Sequence, residues 1–325
     1  MPRTTPFGER NLAWLLAITP LLACGQAYGH GDGVAGAEEA SGAGAGEGSG
    51  ADEPPADPRP GGVDTGPGFR PGPYRETRTL EVDGVRVEAI IDRPANDMAD
   101  AMLLYHGTVV YDDLVMRAAE ETLERFGALL DRRDLLLVSV AYPEEGLLMG
   151  DNLAHAEAAL LWVQRHAADT LGVTVRRLFL AGHSQGGYLV TRLGTLHAVD
   201  GIVASAPGPM DLVFRCGLEE SGRLEGSVAC ANLAAAYGST TQNAAAYQAR
   251  SLLSFTSGQR SGLLVVQGLD DSPIQMRSWP IFRERLEACT DCQSRTFVEL
   301  PGLGHPAMFE SAEARRAFLE LVQSR

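Results

Sequence analysis

Residues 77–82 and 85–91 each alternate apolar and polar side chains, and Asp83-Gly84 stands between them. A period of two marks a strand with one buried face, and Asp-Gly suits a tight reversal. A β-hairpin is expected there. Further on, short apolar runs replace alternation, at 102–105, 135–141, 178–181, 202–205, 263–267 and 296–300. Such runs suit strands buried on both faces. Helical periodicity fills the spacers near 114–131 and 152–168. Apolar strands separated by helices imply parallel crossovers and an α/β class. Segment 208–261 is long for a connection and rich in helix formers, so it is expected to form a small helical lid. Phe214, Tyr237, Tyr247 and Phe255 within it either line a pocket or pack the lid onto the body.

The first 73 residues follow neither period. Arg3 and Arg10 precede an apolar stretch over 12–23. Spanning a bilayer takes about 20 apolar residues, so this stretch fits a signal-peptide core over 1–23. It ends in Leu21-Leu22-Ala23-Cys24, which resembles a bacterial lipobox. That resemblance implies lipid attachment at Cys24, anchoring to the envelope, and, with Gly25 rather than Asp next, the outer membrane. An ordinary cleaved signal is the alternative. Residues 25–73 hold 15 Gly, 8 Ala and 7 Pro with eight acidic residues and two Arg. Little there is apolar and bulky, so 24–73 is expected to be a disordered tether before a folded domain over 74–325. Gly31-Asp32-Gly33-Val34-Ala35-Gly36 matches a dinucleotide-binding pattern formally. It lacks the strand and helix that give the pattern meaning.

Charge narrows the function classes. The 325-residue chain has a formal net charge of −15, and its 27 cationic residues are all Arg. Without Lys there is no Walker-A phosphate loop, no pyridoxal Schiff base and no Ser-Lys dyad. An acidic chain also lacks the basic face that nucleic acid requires. The tether contributes −6 and the folded domain −10.

The run 178–181 leads into Gly182-His183-Ser184-Gln185-Gly186-Gly187 and then a helical pattern. G-x-S-x-G between strand and helix places a serine on a sharp turn with its hydroxyl exposed, and the glycines relieve crowding there. A serine hydroxyl is a weak nucleophile without a base. Of the seven His, only His305 lies beyond the last expected strand, in Gly302-Leu303-Gly304-His305-Pro306.

Together the hairpin, the αβ series and the serine turn resemble an α/β-hydrolase, with a mostly parallel sheet flanked by helices. The resemblance implies the chain order Ser, acid, His, and a catalytic set of Ser184, Asp271 and His305. The family's Gly-x-x-Asp with an apolar residue three positions later selects Asp271 and Ile274, leaving Asp270 as a turn residue. His106-Gly107 matches the family's His-Gly pair, which implies oxyanion donors at the Thr108 and Gln185 amides. His183, inside the turn, is expected to pack. The Gly-Gly-Tyr continuation, Ala236-Tyr237-Gly238, residues 246–251 and Gly-x-Gly-His resemble the prolyl oligopeptidase family. Those motifs are shared with dienelactone hydrolases and esterases, and where the peptidases usually carry a β-propeller this sequence is expected to hold a signal and a tether.

Four cysteines remain beyond Cys24. Export favours disulfides, and spacing favours Cys216 with Cys230 and Cys289 with Cys292. A dithiol redox pair or a zinc site are the alternatives, and no metal ligand set is expected around His106. The expected function is an exported serine hydrolase, carboxylesterase-like, acting on a small ester or short peptide without cofactor. A prolyl oligopeptidase-like peptidase and a non-catalytic surface-binding lipoprotein are the rivals.

Overall fold

The computed structural model describes residues 71–323. The apolar stretch 12–23, Cys24 and nearly all of the Gly/Ala/Pro segment lie outside the described residues. Eight strands form one sheet: β1 (Tyr74–Val82), β2 (Val85–Arg93), β3 (Met98–Tyr105), β4 (Leu135–Ala141), β5 (Thr174–His183), β6 (Gly201–Ser205), β7 (Leu263–Gly268) and β8 (Arg295–Leu300). The α-helices are α1 (Val115–Leu129), α2 (Leu153–His166), α3 (Gln185–Leu196), α4 (Leu212–Glu220), α5 (Val228–Tyr237), α6 (Ala244–Gln248), α7 (Pro273–Glu287), α8 (Ala307–Glu310) and α9 (Ala312–Gln323).

The spatial strand order is β1-β2-β4-β3-β5-β6-β7-β8. β2 runs antiparallel to both its neighbours, and all pairs from β4 to β8 are parallel. The hairpin turn has φ of 52° at Asp83 and 82° at Gly84. That is the conformation Asp-Gly was expected to supply.

Alternation along the strands divides the core. Leu103, Val138, Leu180 and Val265 point to one face, where they meet Leu160 of α2, Leu189 of α3 and Phe282 of α7. Met102, Leu104, Phe179 and Val266 point to the other, against Leu123 and Phe126 of α1 and Phe318 of α9. Burial on both faces is why these strands read as continuous apolar runs.

β3 and β5 each begin four residues before the apolar runs that announced them. The added positions include Asp100, Arg176 and Arg177. The Asp100 side chain is fully buried and meets Arg132 at 3.0 Å, Arg176 at 3.3 Å and Arg177 at 2.7 Å. Burial pushes its pKa up, but the hydrogen bond and charge of Arg177, helped by Arg132 and Arg176, hold it below the ordinary range. A buried charge in a strand is tolerated because it is paired.

Residues 208–261 are helical, with α4, α5, α6 and a 3-10 turn at Leu252–Ser254. They enclose a small core of Leu212, Cys216, Cys230, Leu233 and Tyr247. Disulfides join Cys216 to Cys230 and Cys289 to Cys292. Among the described residues every cysteine belongs to one of these two pairs.

Candidate active site

The centre of the site is a tight turn between β5 and α3. Ser184 joins β5 to α3 with φ 57° and ψ −116°. Such a conformation costs a non-glycine residue on the order of 1–3 kcal/mol. The fold holds it from both sides: Ser184 N–H donates to Ser205 O at 2.8 Å, and its carbonyl accepts from Tyr188 N–H at 3.0 Å and Gly208 N–H at 3.1 Å. Close approach dictates the flanking glycines. A Cβ on Gly182 would stand 2.2 Å from Gly186 O, and one on Gly186 would stand 2.0 Å from Tyr105 O.

The loop after β3 runs against this turn. A Cβ on Gly107 would meet Ser184 Cβ at 3.4 Å. Next to it, Thr108 Oγ1 donates to Gln185 Oε1 at 2.7 Å. The two residues expected to supply oxyanion amides are therefore tied together by their side chains. His106 is buried, its ring stacked on Tyr142 at 3.9 Å between centroids, and the Tyr142 hydroxyl donates to His106 O. Burial lowers the His106 pKa to about 4, against hydrogen bonds with the backbones of Gly107 and Tyr142 that raise it. The ring is thus a neutral packing element under the loop.

His305 lies in the loop between β8 and α8, 42 % exposed, with Nδ1 2.7 Å from Asp271 Oδ2. Of the two adjacent aspartates, Asp271 meets His305; Asp270 is exposed and its N–H donates to Leu303 O at 2.9 Å. Asp271 is 5 % exposed. Burial raises its pKa, but the hydrogen bond and charge of His305, with donors from Ser272 N–H and Gln267, hold it below the ordinary value. His183 connects the two halves of the site. It precedes Ser184, and its ring centroid is 4.8 Å from that of His305 and 5.4 Å from that of Phe309. Burial, with the charges of His305 and Arg125, lowers its pKa to about 3.

Several polar residues around the site escaped the sequence reading. Gln267 Nε2 donates to Asp271 Oδ2 at 3.1 Å, and Gln275 Nε2 donates to Gln267 Oε1 at 3.1 Å and Pro207 O at 2.9 Å. The readable signal was a glutamine closing the apolar run 263–267. Glu144 and Asn152 line a cleft with Thr108, Gln185 and Val228. Glu144 follows β4 by three residues, near the carboxyl edge where parallel sheets bind ligands. Burial, opposed by Val109 N–H and Gln185, raises its pKa to about 8.

Three of the four lid aromatics are engaged in packing, and Tyr237 lines a separate pocket with Arg192 and Arg250. Tyr247 is fully buried and its hydroxyl donates to Gly238 O at 2.7 Å. Phe214 lies 4.3 Å under Arg277, Phe255 lies 3.6 Å under Arg192, and Tyr237 accepts from Arg250 at 3.0 Å. The lid's contribution to the cleft comes instead from Val228, Ala229 and Asn232 of α5. His155 and His166 are on α2, while His197 follows α3 and bonds Glu157 at 2.6 Å.

Strand order, the serine turn after β5 and the acid and histidine loops after β7 and β8 define the class: this chain has the α/β-hydrolase fold. Solved structures agree. Est1E from Butyrivibrio proteoclasticus is 16 % identical, with a TM-score of 0.52, covering 76 % of this chain and 98 % of its own. A hyperthermophilic esterase from the archaeon Pyrobaculum calidifontis is 21 % identical, with a TM-score of 0.56 and coverages of 78 % and 83 %. The acylaminoacyl peptidase of Pyrococcus horikoshii is 11 % identical, with a TM-score of 0.55; the match covers 78 % of this chain and only 42 % of that one. No family model and no curated protein matches the chain by sequence.

Proposed function

We propose that the protein is a serine hydrolase, carboxylesterase-like, working through an acyl-enzyme. The observation that carries this reading is Ser184 on its strained turn, backed by a neighbouring loop that presents a histidine paired with a buried carboxylate. In the reaction, Ser184 Oγ attacks the ester carbonyl while His305 Nε2 takes the proton. Asp271 holds Nδ1–H and so fixes the tautomer and stabilises the imidazolium. The Thr108 and Gln185 amides take the developing oxyanion, and each such donor is worth about 2.7–4 kcal/mol in the transition state. His305 returns its proton to the leaving alcohol. Water, activated by the same ring, then frees the acid and the serine.

Amide cleavage is the second reading. It is favoured by the structural likeness to acylaminoacyl peptidase, although this chain spans under half the length of that protein. The test is purified Ser184→Ala against wild type on p-nitrophenyl acetate and on an aminoacyl p-nitroanilide. Loss of at least a thousandfold in kcat is expected for the variant. Retention of wild-type turnover would sink the reading. For the segment outside the described residues, the proposal is lipid attachment at Cys24. Palmitate labelling in cells that is lost in Cys24→Ala tests it.

A further inference from the structure

A second cleft lies between α3 and the lid, away from the serine turn. Arg192, Arg250, Asp151 and Tyr237 line it, and the small residues Gly150 and Ala249 help leave it a volume of about 370 Å³. Ser184 precedes the first residue of α3 and Arg192 lies in its second half. At 1.5 Å per residue they stand roughly 12 Å apart along the helix, so the cleft is distinct from the proposed catalytic site.

Both guanidiniums are held in place. Arg192 Cζ lies 3.6 Å from the centre of the Phe255 ring, and Arg192 Nη1 donates to the Tyr188 hydroxyl at 2.7 Å. Arg250 donates to Met149 O at 2.7 Å, to Asp151 Oδ1 at 2.6 Å and to the Tyr237 hydroxyl at 3.0 Å. Gly150 brings the intervening loop against α3: a Cβ there would stand 2.7 Å from the Tyr188 hydroxyl oxygen and 3.7 Å from Arg192 Nη1. The Tyr188 hydroxyl lies in the field of all three charged groups. Burial raises its pKa, the charges of Arg192 and Arg250 oppose this, and the charge of Asp151 adds to it.

The charges of the cleft do not cancel. Asp151 pairs with Arg250, whereas Arg192 forms no ion pair among the described residues. A guanidinium has five N–H donors, and Arg192 commits one of them to Tyr188. The Tyr237 hydroxyl accepts from Arg250, which leaves its own proton to donate. The Arg250 side chain is 18 % exposed, and Arg192 and Tyr237 are half-buried, so solutes reach this cleft. A positive cleft on a folded domain of net charge −10 is a local reversal of sign that favours an anion.

The donors come from three elements: α3, the end of α5 and the segment just after α6. A phosphoryl group presents three oxygens out of one plane and up to two negative charges, so it meets donors from several sides. A carboxylate presents two oxygens in one plane. Because both guanidiniums are already ordered, little side-chain entropy is lost on binding. We propose that this cleft is a phosphoryl-binding site, which takes free phosphate or a phosphomonoester through Arg192, Arg250 and Tyr237. The site does not depend on the chemistry assigned to Ser184.

The experiment measures melting temperature at fixed ionic strength, with phosphate, glycerol 3-phosphate or acetate replacing chloride. Salting-out stabilises every variant alike, so the readout is the rise in wild type beyond that in Arg192→Gln. At about ten times the half-saturating concentration, an excess of about 3–6 °C is expected with phosphate, glycerol 3-phosphate or both. Phosphate alone would define the ligand as the free ion, and glycerol 3-phosphate would define it as a monoester. Arg223→Gln, at an exposed lid arginine that does not line the cleft, should keep the full wild-type rise. Ala249→Glu sets a carboxylate at an exposed lining position and should abolish the excess with both arginines intact. It decides the question if Arg192→Gln does not fold. No excess over the variant, or an equal excess with acetate, overturns the proposal.

Discussion

Thr108 Oγ1 donates to Gln185 Oε1 at 2.7 Å, so one side-chain hydrogen bond joins the loop after β3 to the first turn of α3. The two residues lie 77 positions apart, and the amides of both are proposed to hold the oxyanion. Their separation is therefore set by this bond as well as by the backbone. Thr108→Val keeps the amide and the side-chain shape but removes the tie. A fall of about tenfold in kcat with little change in KM is expected, on the scale of one hydrogen bond of ~1 kcal/mol felt mainly in the transition state. Thr108→Ser should restore most of the rate. Equal kinetics for Val and Thr would show that the tie is idle.

Gln267 is expected to position Asp271, the proposed acid. It is fully buried, and its amide donates to Asp271 while being held by Gln275. Gln267→Leu should lower kcat about tenfold and leave KM nearly unchanged, because the carboxylate that orients His305 loses a donor. Steady-state kinetics on one ester separate this from simple destabilisation, which would reduce active-site titre rather than kcat per titrated site.

Two glycines make a matched pair. Gly186→Ala forces a Cβ to 2.0 Å from Tyr105 O, a backbone atom that cannot yield. Destabilisation beyond about 3 kcal/mol, seen as loss of soluble protein or a steep drop in urea midpoint, is expected. Gly127 sits inside α1, and a Cβ there would meet nothing within 4 Å. Gly127→Ala should stabilise by ~0.5–1 kcal/mol through helix propensity.

Two buried histidines make acid weaken the fold, and one buried carboxyl, Glu144 held at about 8, opposes them. Folding holds His106 at about 4 and His183 at about 3, both below the ordinary 6.5. Below about pH 6.5 the unfolded chain protonates these two rings and the folded chain does not, so their contribution declines with falling pH, while Glu144 takes up its proton on folding between about pH 8 and 4.5 and contributes with the opposite sign. The decline ends near 4 for His106 and near 3 for His183. Each ring contributes up to about 1.4 kcal/mol per pH unit within its window, so the two together cost about 4 kcal/mol between pH 7.5 and 5, against about 3 kcal/mol that Glu144 contributes in the other direction. Urea midpoints at pH 7.5 and 5.0 in Glu144→Gln, where that carboxyl no longer titrates, provide the measurement; identical midpoints there would contradict neutral buried rings.

Much of the architecture was legible in the chain because its signals are local. The run 135–141 and the Asp-Gly reversal have their observed bounds or geometry, since burial on both faces and positive φ each demand particular residues. The glycines around Ser184 were readable for the same reason: backbones approach there too closely for a Cβ. The early starts of β3 and β5 were not legible, because Asp100 becomes acceptable in a strand only when arginines distant in sequence surround it.

The sequence by itself determined the α/β order and the glycine-flanked serine turn, and it named Ser184, Asp271 and His305 as the candidates for acyl chemistry. Only the tertiary structure decided that Phe214 and Phe255 of the lid pack against arginines, that Gln267 and Gln275 stand in a hydrogen-bonded row behind Asp271, and that Glu144 and Asn152 line a cleft with Thr108 and Gln185. The physical reason is range. Periodicity and turn chemistry act over a few residues. Hydrogen-bond satisfaction and desolvation depend on neighbours that the chain brings together only on folding.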